Sequence, residues 1–295
     1  MTPAISVIIV TWTGWGLLDP MLRSLYATAS ADGVPVEVLI VDNGSTDDTI
    51  AQTAHSFPSA HVIPLGRNTG FAYANNRAAE QASAPLIALI NNDVLIEPGY
   101  FAAVVRAADA HPEFDVFATQ MLMLRRPGVV DNRGLFPSIV GHLRQRDAGQ
   151  ARVPERPSQE EFGASGGACV VRRSLLRQIG LFDESLGSYH EDVDFAQRAR
   201  AADARCWYVH EAVVLHHGSA TASAMPEWKF EMLTRNMSVM RRRWLRPWQF
   251  RWWVSRGYVA VQGARALRAR RFGAWRQAIR SARDVRPSIA GYPAS

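Results

Sequence analysis

The sequence predicts an α/β protein in which helices flank a mostly parallel central sheet. Short apolar runs typical of buried strands alternate with stretches whose apolar residues recur at helical spacing. Three such strand–helix repeats precede a fourth strand at Leu86–Ile90, and repeated strand–helix units favour a parallel sheet. The composition then changes near residue 225, and we expect a basic helical extension from there onward.

Each predicted strand is an apolar run rich in β-branched residues. The predicted strands are Ile5–Thr11, Val36–Val41, His61–Leu65, Leu86–Ile90, Val116–Leu124, Ala168–Val171, Trp207–His210 and Val213–Leu215. Between residues 125 and 161 the pattern loosens, and only Leu135–Val140 looks like part of a hairpin. Such a long, weakly patterned connection is usually functional or mobile, and we expect it to border the site.

The helices are predicted from apolar spacing and from their end signals. Apolar residues at helical spacing predict helices over Leu18–Ala29 and Phe71–Ala79, and further helices are expected over Gly99–Ala110 and Ser174–Ile179. Ser45–Asp48 has the form of a capping box, with Asp in place of Glu.

Composition is that of a folded globular protein. With 295 residues, 47% of them hydrophobic and 20% charged, the chain is long enough for one large or two small domains. Cys169 and Cys206 lie far apart and suit reduced, buried thiols better than a disulfide framework. Gly14 and Gly16 interrupt the first apolar run, which we interpret as a strand rather than a signal peptide, so we expect a cytoplasmic protein.

Charge divides the chain into two parts. Residues 225–295 contain sixteen Arg and Lys against three Asp and Glu, so this segment carries +13 and residues 1–224 carry −7. An acidic body and a basic tail require separate explanations.

Asp93 lies just beyond the fourth predicted strand, after Asn91 and Asn92. A strand buried on both faces does not tolerate a charge, so Asn91, Asn92 and Asp93 are expected in the crevice beyond its carboxyl end, where open α/β sheets bind ligands. A carboxylate facing a diphosphate there is suited to hold Mg²⁺ or Mn²⁺. The alternative is that Asp93 caps the helix that begins near Pro98.

Asp42 ends the second strand in the same way. A strand, an acid at its tip and a helix start resemble a nucleotide-binding unit in which the acid bonds a ribose hydroxyl. Alternatively, Asp42 only stabilises the turn through an Asx bond. Asn68 and Gly70 precede the next helix, where backbone N–H groups can face phosphate or simply cap the helix.

Two later stretches bring together groups that can do chemistry. Small residues over Gly163–Val171 allow close approach of the backbone to a ligand. Tyr189–Asp194 places three acids and a histidine at a helix start; dipole complementation is the alternative, but it needs fewer charges. His216 and His217 end the last strand, either as structural groups or as ligands of a metal.

These motifs together resemble family 2 glycosyltransferases of the GT-A fold, in particular the rhamnosyltransferase-like branch that acts on bacterial surface polysaccharides. The blocks that carry the resemblance occur in the family's order: Ser6–Thr11, Val41–Thr46, Asn68–Asn76, Leu89–Asp93, Gly163–Arg173, Gly180–Glu184, Glu191–Asp194 and Val214–His217. They cover nearly all of residues 4–220.

The resemblance implies an inverting transfer of a sugar, rhamnose-type or another hexose, from a dTDP- or UDP-linked donor. It assigns Asp192 as the general base and Asp93 and His216 as ligands of a divalent Mg²⁺ or Mn²⁺ ion, with His217 as a second choice for His216. The substrate-binding residues that it implies are Thr11, Asp42, Asn68, Asn91, Asn92, Gly167 and Glu191. Two departures are Asn91 in place of the first Asp of a DXD motif, and Thr11-Trp12-Thr13 in place of Asn-Tyr-Asn.

The basic tail combines cations with tryptophan. Basic amphipathic helices that carry tryptophan suit the anionic inner face of the plasma membrane, so we expect peripheral docking there. The alternatives are a basic helix packed on the catalytic part, or a contact in a homodimer. Nucleic acid is excluded as a partner because no nucleic-acid module appears and the body is acidic.

The sequence thus predicts a catalytic domain over residues 1–224, with a nucleotide-binding half (1–97) and an acceptor-binding half (98–224), followed by a basic helical region over residues 225–295. The expected acceptor is a polyprenyl-linked or cell-surface glycan. A nucleotidyltransferase is disfavoured because Thr11–Gly16 contains no cation. An inactive sugar-nucleotide-binding scaffold, tethered by its tail, is the alternative from another class.

Overall fold

The central sheet has ten strands in the computed structural model, which describes residues 2–138, 143–218, 225–245 and 249–289. In chain order the strands are β1 (Ile5–Thr11), β2 (Val36–Asp42), β3 (His61–Pro64), β4 (Leu86–Ile90), β5 (Val94–Ile96), β6 (Val116–Met123), β7 (Arg126–Asn132), β8 (Leu135–Pro137), β9 (Leu143–Gln145), β10 (Gln159–Glu161), β11 (Ala168–Arg172) and β12 (Cys206–His216). Strands β8 and β9 form a separate hairpin. The helices are α1 (Trp15–Asp32), α2 (Thr49–Ser56), α3 (Phe71–Ala79), α4 (Tyr100–Ala110), α5 (Arg173–Ile179), α6 (Glu191–Ala201), α7 (Pro226–Trp244), α8 (Phe250–Arg268) and α9 (Phe272–Ser281).

The strand order confirms the predicted α/β fold. Along its main path the sheet runs β10-β12-β6-β11-β4-β1-β2-β3, and β5 and β7 add to β12 and β6. Four pairings on this path are parallel and three are antiparallel, so the path is mostly parallel. Since parallel strands end at the same edge, the carboxyl ends of β1, β2 and β4 lie side by side.

One antiparallel strand joins the two parallel parts of the sheet. Strand β11 lies between β4 and β6 with Ala168 opposite Ile90, so β11 begins where β4 ends. The Asn91 N–H donates to the Gly167 carbonyl at 2.9 Å across this junction. Strand β12 runs parallel to β6 and ends at His216 on the same edge. The ends of four strands and the start of β11 therefore surround one region.

Alternation along the strands builds a core on each face of the sheet. In β4, Leu86, Ala88 and Ile90 pack into a cluster with α1 and α4, whereas Ile87 and Leu89 pack into a second cluster with α3, α5 and α6. This period of two, buried on both sides, explains why the strand contains no polar residue.

Several local predictions need correction. The capping box at Ser45–Asp48 does not form: the N-cap of α2 is Asp48, whose side chain makes no capping bond, while Asp47 accepts from the N–H and hydroxyl of Thr49. The two short strands predicted between Trp207 and Leu215 are one strand, β12, with an irregularity between Val209 and Val213. Much of the loosely patterned segment pairs as β7 to β10.

Other local predictions hold. The hairpin prediction is met at β8, although its last residues, 139 and 140, lie outside the described part of the chain. Cys169 and Cys206 are free and buried, as expected. Gly180 ends α5 with φ 69, a left-handed value that favours glycine.

Asp93 does not cap a helix. The first turn of α4 is capped by Asp32, whose carboxylate accepts the N–H groups of Gly99 at 3.0 Å and Ala102 at 3.1 Å. The capping alternative for Asp93 is therefore excluded, and its side chain lies at the sheet edge, where it lines the cavity described below.

Helix α7 packs against the residues that precede the predicted boundary at residue 224, a boundary that stays a prediction. Val239 and Met240 join a buried cluster with Leu186 and Val193. No helix among the described residues is both long and apolar enough to cross a bilayer.

A buried ionic network fixes α7 in place. Arg243 pairs with Asp183 at 3.0 Å and lies 3.6 Å from Asp194, and the Trp244 indole donates to Asp194 at 3.2 Å. Asp194 also pairs with Arg198 at 2.9 Å, and neither side chain is exposed. Because these carboxylates are removed from water, their cationic partners are required for stability.

We expect R243A to lower the free energy of unfolding by about 3 kcal/mol or more, because it leaves buried carboxylates with fewer partners. Urea unfolding of the full chain measures this. The control is R23A, which removes an ion pair with Asp19 whose arginine side chain is 67% exposed; its expected effect is below about 1 kcal/mol. Equal losses in the two variants would show that α7 is not an integral part of the fold.

Candidate functional site

A cavity of about 420 Å³ opens at the sheet edge where β1, β4 and β12 end. The sequence-predicted site residues that line it are Thr11, Asn68, Asn91, Asn92, Asp93, Gly167, Glu191, Asp192 and His216. Residues separated by up to 205 positions in the chain thus converge because the sheet brings their strand ends together. The first turns of α7 also reach the cavity, through Met225, Trp228 and Leu233.

Asp42 does not line this cavity. Its carboxylate accepts the Ser45 N–H at 2.8 Å, which is the turn-stabilising bond weighed as the alternative to a ribose contact. The neighbouring Asn43 lines the cavity instead, and its side-chain oxygen accepts the N–H and hydroxyl of Thr69 at 2.8 and 2.9 Å. Asn43 therefore ties the end of β2 to the loop that carries Asn68. A nucleotide contact by Asp42 stays a prediction.

Asp93 and His216 lie side by side in the wall of the cavity. The distance from Asp93 Oδ1 to His216 Nε2 is 3.3 Å, and their side chains are 7% and 10% exposed. On the other side of the ring, His216 Nδ1 donates to Asp131 Oδ2 at 2.8 Å. Burial acts to lower the pKa of His216, but the two carboxylates together raise it to about 9. The imidazole is thus held between two acids.

Asp131 is a site residue that the sequence did not reveal. It lies in β7, within a stretch (Arg126–Asn132) that shows no apolar alternation, and no motif marks it. Only the pairing of β7 with β6 brings it beside β12 and His216. Its bond to Nδ1 fixes the ring so that Nε2 faces Asp93 and the cavity.

The two asparagines before Asp93 have different roles. Asn92 donates through Nδ2 to the Thr11 hydroxyl at 3.2 Å and so connects the ends of β4 and β1. The Asn91 side-chain oxygen is buried and has no hydrogen-bond partner among the described residues. A buried acceptor of this kind is costly unless a ligand or water satisfies it. Asn91 is therefore a candidate for direct contact with a bound molecule.

Gly167 permits close packing at this point. A Cβ atom built on Gly167 would lie 3.0 Å from Met121 Cε and 3.5 Å from Asn91 Nδ2. The small residue thus leaves room for the side chains of Met121 and Asn91, and the close approach of the backbone to a ligand stays a prediction.

Glu191, which is buried, and Asp192, which is half-buried, form an acidic pair at the start of α6. Asp192 accepts N–H groups from Gly166 at 3.1 Å and Val193 at 2.7 Å, yet burial raises its pKa above the usual range. Burial and the neighbouring Asp192 raise the pKa of Glu191 further, and one oxygen of Glu191 has no hydrogen-bond partner within the described chain. Carboxyl groups with raised pKa values in a cleft are suited to proton transfer.

A strained loop leads into this pair. Tyr189 and His190 adopt left-handed backbone conformations with φ 69 and 66, a geometry that costs non-glycine residues about 1–3 kcal/mol each. Asn236 of α7, which is fully buried, donates to the carbonyl groups of Leu186, Ser188 and Tyr189 at 2.7–2.9 Å. The tail thus holds the loop that presents Glu191 and Asp192, a role that its basic composition did not indicate.

The fold is that of GT-A glycosyltransferases. A structure of GalNAc-T7 with UDP, GalNAc and Mn²⁺ superposes with a TM-score of 0.63 at 13% identity, over 82% of this chain and 48% of that protein. A structure of residues 1–349 of Staphylococcus aureus TarS superposes with a TM-score of 0.57 at 18% identity, over 99% of both chains. This chain therefore spans about half of GalNAc-T7 and nearly all of the TarS fragment.

Sequence comparison identifies the family. The sequence model of Glycosyl transferase family 2 matches residues 6–180. An N-acetylglucosaminyl-diphospho-decaprenol L-rhamnosyltransferase of Mycobacterium tuberculosis is 30% identical in an alignment 253 positions long, and the alignment covers 77% of this chain and 80% of that protein. The chain belongs to glycosyl transferase family 2, and the resemblance stated from its motifs is confirmed.

The buried carboxyl of Glu191 gives a test of the site's electrostatics. Because the pKa of Glu191 is raised in the folded state, the folded protein keeps a proton that the unfolded chain has lost, and stability falls as the pH rises above about 4.5. The E191Q variant lacks this titration. Its stability relative to the wild type should therefore increase with pH, by up to about 1.4 kcal/mol per pH unit within the window.

Urea unfolding from pH 4 to pH 8 provides the measurement, with E37Q as the control. Burial acts to raise the pKa of Glu37, but hydrogen bonds from Ser6 and Ser83 lower it overall, so the E37Q difference should change only below about pH 4.5 and stay flat above that pH. A flat or falling E191Q difference would show that Glu191 is not held in an environment that favours its neutral form.

Proposed function

We propose that this protein transfers a sugar from a nucleoside diphosphate donor to a hydroxyl group of a lipid-linked glycan, with inversion at the anomeric carbon. The observation that carries the proposal is that one cavity contains both the Asp93–His216 pair and the half-buried Asp192. The family and the related rhamnosyltransferase, which is named for a diphospho-decaprenol acceptor, support this reaction class. We expect a dTDP- or UDP-linked donor that carries rhamnose or another hexose.

The donor occupies the side of the cavity formed by the parallel half of the sheet. Thr11, Trp12, Asn43 and Asn68 line that side, at the ends of β1 and β2 and in the loop before α3. The aromatic ring of Trp12 provides a surface for the base or ribose, and the amide side chains provide donors and acceptors for their polar edges. The nucleotide role assigned to Asp42 belongs to this proposal, through the turn that Asp42 stabilises beside Asn43.

The residues at the centre of the cavity fit a divalent ion. Asp93 offers a carboxylate oxygen and His216 an imidazole nitrogen within 3.3 Å of each other, and the described residues contain no cluster of three or more His, Cys, Asp or Glu for a metal. Two protein ligands are typical where Mg²⁺ or Mn²⁺ also binds substrate phosphates. To hold the ion, His216 would have to lose its Nε2 proton. A bound ion there would supply Lewis-acid stabilisation of the departing diphosphate.

Asp192 acts as the general base. As the acceptor oxygen forms its bond to the anomeric carbon, the hydroxyl proton moves to the Asp192 carboxylate, and the bond from that carbon to the diphosphate oxygen breaks with its electron pair on oxygen. The N–H groups of Gly166 and Val193 fix the carboxylate, and burial raises its pKa, which strengthens it as a base. A single displacement requires one base and no covalent intermediate.

The acceptor lies against residues of the later half of the chain. Glu191 is placed to hydrogen-bond an acceptor hydroxyl through the oxygen that lacks a partner in the described residues. Tyr189 and Trp228, whose ring centroids are 5.8 Å apart, form an aromatic wall at the start of α7. Aromatic faces of this kind suit the apolar faces of sugar rings.

The D192N variant tests the base. Asn keeps the size of the side chain but cannot accept the proton, so kcat should fall by about 10²- to 10⁴-fold while the dissociation constant of the donor changes little. The measurements are transfer to a lipid-linked acceptor and calorimetric binding of the donor. Exposed Asp109, on α4 and outside the cavity, gives the control D109N, which should match the wild type. Full activity of D192N would exclude Asp192 as the base, and donor binding without transfer in the wild type would favour an inactive scaffold.

The D131N variant tests the orientation of His216. Loss of the carboxylate at Nδ1 weakens the hold on the ring, so the affinity for Mn²⁺ in the presence of UDP should fall by about 10- to 100-fold. Electron paramagnetic resonance of free Mn²⁺ measures this without an activity assay, and D109N again serves as the control. Unchanged Mn²⁺ affinity in D131N would show that the Asp131–His216 bond does not position a metal ligand.

A further inference from the structure

Helix α8 has its large apolar side chains on the outside. Phe250, Trp253, Val261 and Leu267 are 71%, 62%, 49% and 63% exposed, and they account for four of the six exposed large hydrophobic residues in the described chain. The residues that α8 buries are Ser255, Gly263 and Ala266. A helix that packs on a protein normally does the reverse, so the outer face of α8 is built to contact another apolar phase.

The exposed residues form a continuous stripe. Phe250, Trp253, Gly257, Ala260, Val261, Ala264 and Leu267 are all exposed and follow one another at steps of three or four along the helix, counting Ala260 and Val261 as one position. At 100° per residue they cover one face of α8 over about 26 Å. We call this set the apolar stripe.

Arginines border the stripe. Arg256 and Arg265 lie on either side of it, Arg268 lies at its end, and all three are exposed. From Gln249 to Ser281 the sequence contains eight arginines and no acidic residue. An apolar face bordered only by cations is complementary to a surface that combines acyl chains with negative headgroups, and tryptophan favours the boundary between them.

A second copy of the chain is a poorer occupant. Two apolar stripes brought face to face would also bring their bordering arginines together, without an acid on α8 or α9 to neutralise them. Like charges placed in this way oppose association. The inner side of α8 already packs on the protein. Gly263 lies against Trp275 of α9, and Trp252 lies under Arg241 of α7. The helix therefore does not need a second copy of the chain to hold it in place.

We infer that the apolar stripe of α8 lies in the headgroup region of an anionic membrane, with the helix parallel to the surface. The inference rests on the proposed function, because it explains how a lipid-linked acceptor reaches the cavity. Arg271, which follows α8, pairs with Glu227 at 2.9 Å and lies over the Phe230 ring. The carboxyl end of α8 is thus beside the start of α7, which borders the cavity through Trp228. Docking through α8 keeps that border close to the membrane on the inner, anionic leaflet.

The experiment is sedimentation of the full chain with vesicles of phosphatidylcholine alone or of phosphatidylcholine with 30% phosphatidylglycerol. The wild type should bind the anionic vesicles at least about tenfold more strongly. The F250S/W253S/L267S variant should lose about tenfold or more in affinity because apolar area no longer enters the interface. The R256Q/R265Q/R268Q variant should lose about 100-fold in affinity for the anionic vesicles at low salt, because each one to two charges contribute about tenfold.

Fluorescence gives a second measurement of the same contact. Brominated lipids should quench the tryptophan fluorescence of the wild type, and they should quench that of the F250S/W253S/L267S variant less.

The matched controls are V153S and R125Q/R126Q/R152Q, which change exposed residues of the same kinds outside α8. Both should bind as the wild type does. The proposal is overturned if the wild type binds neither vesicle, if it binds both equally, or if the serine variant retains full binding. It is also overturned if the wild type is a dimer that the serine variant converts to a monomer, since a second copy then covers the stripe.

Transfer to a water-soluble acceptor analogue separates this inference from the proposed function. Both α8 variants should retain wild-type transfer to that analogue and lose transfer to the acceptor in vesicles. Absence of transfer in every assay with intact vesicle binding would overturn the proposed function and leave membrane docking in place.

Discussion

The register of one short strand pair determines where the candidate site forms. Strand β5 pairs with β12 so that Val94 lies opposite His216, and the His217 N–H donates to the Asp93 carbonyl at 3.0 Å. A shift by one residue would turn the His216 ring to the opposite face of the sheet. The approach of Asp93 to His216 is therefore a consequence of backbone pairing rather than of attraction between the side chains alone. The edge formed by β1, β4 and β11 supplies one wall around this fixed pair, and the loop before α6 and the start of α7 supply another.

Several features of the site lower the stability of the folded protein locally, and contacts elsewhere in the fold offset this cost. The site contains two adjacent carboxyl groups with raised pKa values, a buried acceptor on Asn91, and two left-handed residues in succession. Such features persist only where the surroundings over-determine them. Here Asn236 and the Arg243 network, both on α7, hold the loop and the start of α6. The basic extension thus contains helices with different roles. Helix α7 packs against the site, and the large apolar residues of α8 face away from the protein.

The sequence predicts those features of the fold and the site that depend on neighbouring residues in the chain, and it misses those that depend on contacts between distant segments. Strands β1, β2 and β4 are buried on both faces, so their apolar runs identify them, and an acid directly after such a run must lie at the sheet edge; this logic located Asp93 correctly. The same logic leaves the role of Asp42 open, because its carboxylate accepts the N–H of Ser45, three positions on, and does not line the cavity. Asp131 and Asn236 gave no signal, because their roles arise from pairing of β7 with β6 and packing of α7 on the loop before α6. Strand β12 appeared as two strands because its irregularity at Val209–Val213 interrupts the alternation.

The most direct test of the central claim is an anomalous difference map at the manganese edge from crystals of the full chain grown with Mn²⁺ and UDP. The account expects a single strong peak bonded at about 2.1 Å to an Asp93 carboxylate oxygen, with His216 Nε2 as a second protein ligand and a UDP phosphate oxygen beside it. Ordered UDP in the cavity, together with a manganese peak bonded to neither Asp93 nor His216, would contradict the account.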